Sequence, residues 1–171
     1  AFRRSCENGH LGIAKWLYEI KPTINISANN EELFRYSCNY GHLDVAKLLY
    51  EIKPTIDISA ENEYAFRYSC EKDNLDIAKW LYEIKPTIDI SAENEFAFKE
   101  SCQCGHLDVA KWLYEIKPTI DISADDEWTF KYSCINGHLD IAKWLYEIKP
   151  TIDISAEDDL AFKFSCHKGH L

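Results

Sequence analysis

Residues Ser91–Ile120 read SAENEFAFKESCQCGHLDVAKWLYEIKPTI, and this stretch decides the fold. Ser91 can cap a helix, and Glu93 and Glu95 suit the positive end of its dipole. Asn94 is a competing cap, in a slot held elsewhere by Asn30, Asn62, Asp126 and Asp158. Ala97, Phe98, Ser101 and Cys102 share one face of a first helix that runs to about Gln103 and Cys104. Gly105 is placed to end that helix in the left-handed conformation, for which Asp73 stands in the third unit. A second helix is expected from about Leu107 to Ile116, because Pro118 forbids continuation. Leu107, Val109, Ala110, Trp112, Leu113, Tyr114 and Ile116 make that helix apolar nearly all round, so both flanks need cover. Only Asp108, Lys111 and Glu115 are left for a narrow charged ridge. Thr119–Ser123 then alternates polar and apolar, as an extended connector does.

The same text recurs along the whole chain. Cys6, Cys38, Cys70, Cys102, Cys134 and Cys166 are 32 residues apart, and so are Pro22, Pro54, Pro86, Pro118 and Pro150. A fixed period between about 20 and 50 residues marks a repeat architecture, whose units bury their apolar faces only by stacking. The fold class expected is all-α: a solenoid of antiparallel helix-turn-helix units joined by short extended loops. It forms one array over 1–171, with units 31–62, 63–94, 95–126 and 127–158 between partial units 1–30 and 159–171. Both ends fall inside a unit, at Ala1-Phe2 and His170-Leu171, and there is no methionine. This predicts a segment of a longer array.

At 46% apolar and 28% charged residues, the chain is expected to be globular and not disordered. Each unit is broken at a Lys-Pro step, so no run reaches the roughly 18 apolar residues of a membrane span. The net charge of -10 disfavours a nucleic-acid partner. Equivalent cysteines on helices about 8–10 Å apart exceed the roughly 7 Å that a disulfide tolerates. They read as small core residues of a protein kept in a reducing, intracellular compartment.

The strings Gly41-His42-Leu43-Asp44-Val45-Ala46-Lys47-Leu48-Leu49 and Gly105-His106-Leu107-Asp108-Val109-Ala110-Lys111 resemble the second-helix signature of the ankyrin repeat family. The resemblance covers the chain, and its divergent 32-residue form is similar to arrays encoded by giant viruses. Tyr64-Ala65-Phe66-Arg67 replaces the family's Thr-Pro-Leu-His opening, and Lys85-Pro86-Thr87 replaces its Gly-Ala-Asp. These departures predict a short loop and a longer first helix in place of the family's protruding β-hairpin. The resemblance implies a non-catalytic module that binds a protein partner through the concave side of its first helices.

Comparing the units separates scaffold from surface. Four first-helix slots vary freely. One holds Glu32, Tyr64, Phe96, Trp128 and Leu160; the next holds Arg4, Tyr36, Tyr68, Glu100, Tyr132 and Phe164. The third holds Glu7, Asn39, Glu71, Gln103, Ile135 and His167, and the fourth Asn8, Tyr40, Lys72, Cys104, Asn136 and Lys168. Their offsets of four, seven and eight residues fall on one helical stripe, opposite the Ala-Phe-Ser-Cys face. Drift at exposed slots usually leaves polar residues, whereas this stripe is rich in Tyr, Trp and Phe, which favour a binding surface. An adaptor is therefore expected, for instance in ubiquitin ligase recruitment, with a structural or self-assembling role as the alternative.

No catalytic, cofactor or metal site is expected. Cys102, Cys104 and His106 form a Cys-x-Cys-x-His string, but Cys102 should face inward and Cys104 outward, so they do not converge as metal ligands must. His10, His42, His106, His138 and His170 recur once per unit and read as scaffold that bonds the turn or the next unit. Glu63 with Arg67, and Glu95 with Lys99, read as helix-surface ion pairs at four-residue spacing.

Overall fold

The computed structural model describes residues 1–169, apart from the side chains of Glu157 and Asp158; His170 lies outside this range. Eleven helices occupy the described residues, and none of those residues is in a β-strand. The first helices of the units are α1 (Phe2–Glu7), α3 (Ala28–Asn39), α5 (Ala60–Glu71), α7 (Ala92–Cys104), α9 (Ala124–Ile135) and α11 (Ala156–Lys168). The second helices are α2 (Leu11–Ile20), α4 (Leu43–Ile52), α6 (Leu75–Ile84), α8 (Leu107–Ile116) and α10 (Leu139–Ile148). Two compact units result, Ala1–Ala92 and Glu93–Leu171. In the first, α1 packs on α2, α3 on α4 and α5 on α6 as hairpins, while α1, α3 and α5 stack in order. In the second, α9 packs on both α10 and α11.

The inward face is the one anticipated. Phe34, Phe66 and Phe98 are fully buried, as are Cys38, Cys70 and Cys102. Buried serines beside them are satisfied locally: Ser69 Oγ donates to the Ala65 carbonyl at 2.7 Å and Ser133 Oγ to Thr129 at 2.7 Å. From the second helices come Leu49, Leu81, Leu113 and Leu145, buried with the alanines beside them, while Asp108, Lys111 and Glu115 stay exposed. In the connector, Ile120 and Ile122 are buried and Thr119 and Asp121 exposed, so its alternation is an alternation of burial.

Tryptophan locks one hairpin onto the last. Trp80 lies 6.1 Å from Phe34 and 5.9 Å from Tyr50, the latter edge-on, and Trp144 repeats this with Phe98 and Tyr114 at 6.2 and 5.9 Å. At the turns, the histidine reaches back to the preceding repeat. His42 Nε2 donates to the Glu7 carbonyl at 3.0 Å, and Asn74, which replaces histidine in the third repeat, donates to the Asn39 carbonyl at 3.1 Å.

That packing explains Gly105. Its φ is +88°, and a Cβ there would lie 2.7 Å from the His138 ring. Gly12 differs: it sits inside α2 in a slot that is aspartate in the next four second helices, with open space around it. Gly105→Ala is expected to cost more than about 1 kcal/mol, and Gly12→Ala to gain about 0.5–1 kcal/mol. Urea unfolding midpoints moving in opposite directions would bear out both assignments; equal shifts would contradict them.

Candidate protein-binding surface

Four first helices, α3, α5, α7 and α9, open with a feature the periodicity did not announce. Asn29, Asn30 and Glu31 have φ of 55°, 54° and 60°, and the same left-handed triplet recurs at Glu61–Glu63, Glu93–Glu95 and Asp125–Glu127. Left-handed backbone costs roughly 1–2 kcal/mol per residue, less for Asn and Asp, so three in a row need a restraint. Arg35 supplies it: Nε donates to the Asn30 carbonyl at 2.7 Å and a terminal nitrogen to the Asn29 carbonyl at 3.1 Å. Arg67 does the same for Asn62 and Glu61, at 2.6 and 3.2 Å.

Several expectations are corrected here. Glu63 and Arg67 are buried and do not form a surface pair; Glu63 accepts from the Ser59 hydroxyl at 2.6 Å and from the Asp89 amide at 3.3 Å. Lys99 is likewise buried, and its ammonium reaches forward one repeat to Asp125, which holds that carboxyl below the usual carboxylate range. The serines before the helices make no side-chain caps at Ser27, Ser59 and Ser123. Their hydroxyls bond side chains instead: Ser123 bonds the half-buried Glu127 at 2.8 Å, and Lys53 and Lys85 bond Ser27 and Ser59. Asn30 and Asn94 donate into the following repeat, to Glu61 at 2.5 Å and Asp125 at 3.0 Å, and do not cap. The equivalent Asp158 side chain lies outside the described residues.

Right-handed helix begins immediately after the triplet, and the first residue is the first variable slot. In the unit Ala1–Ala92 the stripe is a ladder of tyrosines. Tyr40 is 6.0 Å from Tyr36, Tyr36 is 6.2 Å from Tyr64, and Tyr64 stacks on Tyr68 at 4.1 Å. Arg35 also lies 4.8 Å over the Tyr64 ring, and Asn39 Nδ2 donates to the Tyr64 hydroxyl at 3.3 Å. Partial burial pushes the Tyr64 phenol above its ordinary pKa, with the neighbouring tyrosines adding to the shift. Arg4 and Lys72 are exposed at the edges, while Glu7 and Glu71 are half-buried and paired with Arg3 and Lys72, each at 2.7 Å.

In the unit Glu93–Leu171 the stripe carries Trp128 against Tyr132 at 4.6 Å, with Lys131 5.6 Å from the Tyr132 ring. Phe96, Glu100 and Gln103 are half-buried, and Phe164 and His167 are exposed. Ile135 does not belong to this surface: at 7% exposure it is turned into the core, as its apolar side chain favours. Cys104 is exposed while Cys102 is wholly buried, so the two thiols do not face a common point. Burial raises the Cys6 and Cys134 thiols to about 11 and holds Cys38, Cys70 and Cys102 higher still.

Stacked helical hairpins that hide one first-helix face and present the other, with its side chains varied from unit to unit, define a repeat-built interaction module. The model of the family described as ankyrin repeats (3 copies) matches residues 2–94 and 68–158, and the chain belongs to the ankyrin repeat family. No curated protein matches it. Ankyrin repeats mediate protein–protein interaction, and the fold is typically non-catalytic. No helix among the described residues is long and apolar enough to cross a membrane.

Two outcomes are expected. Arg35→Ala should cost about 2–4 kcal/mol, since it removes two charge-assisted bonds from a buried guanidinium to the turn carbonyls, with Arg35→Lys losing less; chemical denaturation measures both. Thiol labelling of the native chain at pH 8 should modify Cys104 first and leave Cys38, Cys70 and Cys102 for the unfolded state. Because burial raises their pKa values, unfolding releases their protons above pH 9, so stability should fall as pH rises past the ordinary thiol range. Rapid modification of all the cysteines in the folded chain would contradict their burial.

Proposed function

We propose that this chain is a non-catalytic adaptor that holds a protein partner on the first-helix stripe, as in recruitment of a target to a ubiquitin ligase. One observation carries the reading: the slots that vary between repeats bring aromatic rings against one another, Tyr36, Tyr64 and Tyr68 in one unit and Trp128 and Tyr132 in the other, all half-buried. Such rings offer large contact area, and their packing has already removed much of the rotamer freedom that binding would cost. The constant charged ridge of the second helices offers nothing comparable.

Peptides selected from a displayed library on the immobilised chain are the test. Tyr68→Ala in one unit, and Trp128→Ala with Tyr132→Ala in the other, should each weaken the peptides bound there by about tenfold or more. Ala substitutions at Asp108, Lys111 and Glu115 should not. Circular dichroism of each variant separates lost binding from lost fold, and the reverse pattern would remove the basis of the proposal.

A further inference from the structure

The tyrosine ladder is seated on cations along part of its length. Arg35 lies over Tyr64, Arg67 lies 5.5 Å from the Tyr68 ring, and Lys131 occupies the same position beside Tyr132. Tyr36 and Tyr40 are different. Their ring partners are other aromatics only: each other, Tyr64 and His42, the last 6.4 Å from Tyr40. Tyr40 is also the most exposed aromatic of the stripe in its unit, at 57%. These two rings form one wall of a recess of about 550 Å³ whose remaining lining is Glu7, Asn8 and His42, with no lysine or arginine.

The recess is rich in acceptors. One Asn8 N–H is spent on the Arg4 carbonyl at 2.8 Å, and His42 Nε2 donates to the Glu7 carbonyl. Acceptors remain. Asn8 keeps its Oδ1, and the Glu7 carboxylate binds Arg3 through Oε1 alone, leaving the second oxygen open. Arg3 is itself held between Glu7 and Glu32, at 2.7 Å from each, and with Arg4 it lines an adjoining recess on the other side of Glu7 and Asn8. Two electron-rich ring faces opposite a carboxylate and an amide oxygen are complementary to a cation that carries several donors. The overall charge of -10 draws such a group in.

We infer that the recess between α1 and α3 receives an arginine or lysine side chain of the partner polypeptide, seated on Tyr36 and Tyr40 and bonded to Glu7 and Asn8. This rests on the first-helix stripe being a protein-binding surface, and it adds the charge of what docks there.

The test uses a short Gly-Arg repeat peptide and its twin with citrulline, which is uncharged and nearly the same shape. Binding to the full chain is followed by calorimetry and by amide chemical shifts. The arginine peptide should bind with shifts at residues 7, 8, 36, 40 and 42, and citrulline should weaken it by about tenfold or more. Tyr40→Leu and Glu7→Gln should each weaken the arginine peptide by about three- to tenfold, while Glu115→Gln on the second-helix ridge changes nothing. Equal binding of the twins at those residues would overturn the charge assignment and leave the protein-binding stripe standing. No binding of the arginine peptide at millimolar concentration, or binding indifferent to Tyr40→Leu and Glu7→Gln, would also overturn it. Failure of the library-selected peptides to respond to the stripe substitutions would instead remove the reading beneath it.

Discussion

A buried guanidinium under a left-handed turn is the contact on which the repeat depends. Three consecutive residues at positive φ are unfavourable for any chain without glycine, and the turns here use Asn, Asp and Glu. Arg35 and Arg67 offset that cost by donating to the carbonyls the turn points inward. The turn in turn fixes where right-handed helix begins, and hence which residue emerges first on the variable stripe. Arg35 then contributes a second time, as the cation over Tyr64 in the following repeat. One side chain thus couples backbone strain, helix start and the placement of the aromatic surface.

Much of this was legible in the sequence. The 32-residue period, the Pro stop, the Gly turn and the Phe-Ser-Cys face are local signals that agree with one another, and helix bounds, core and charged ridge followed from them. The recurring histidine was legible as scaffold because a residue repeated once per unit serves something repeated. Its partner was not, since the bond runs to a repeat 32 residues back and depends on the close approach that Gly9 and Gly105 allow.

The misread ion pairs and caps share one physical cause. Glu63 and Arg67 at four-residue spacing are what an exposed helical ion pair looks like, and only the left-handed triplet turns both inward. Asn and Asp at the helix starts read as caps for the same reason, because residues that favour caps also tolerate positive φ. Ile135 shares its slot with polar residues, and slot membership alone could not show that an isoleucine there would rotate into the core. The aromatic slots were found because aromatic drift at a solvent-facing position is unusual, but their stacking into a ladder required coordinates.

Bonds that cross from one repeat to the next recur throughout each unit: His42 to Glu7, Asn30 to Glu61, Asn74 to Asn39, Lys99 to Asp125. The His42 and Asn74 bonds hold a backbone carbonyl of one hairpin with a side chain from another, and the other two join side chains across the same seam. A lone hairpin therefore keeps its turn and the clamp on it while losing every bond that crosses to a neighbour. Such a chain melts as a nearest-neighbour zipper, in which the cooperative length is set by how many consecutive turns remain clamped. Replacing an arginine clamp with lysine, as positions 99 and 131 do, places a natural soft point in that zipper.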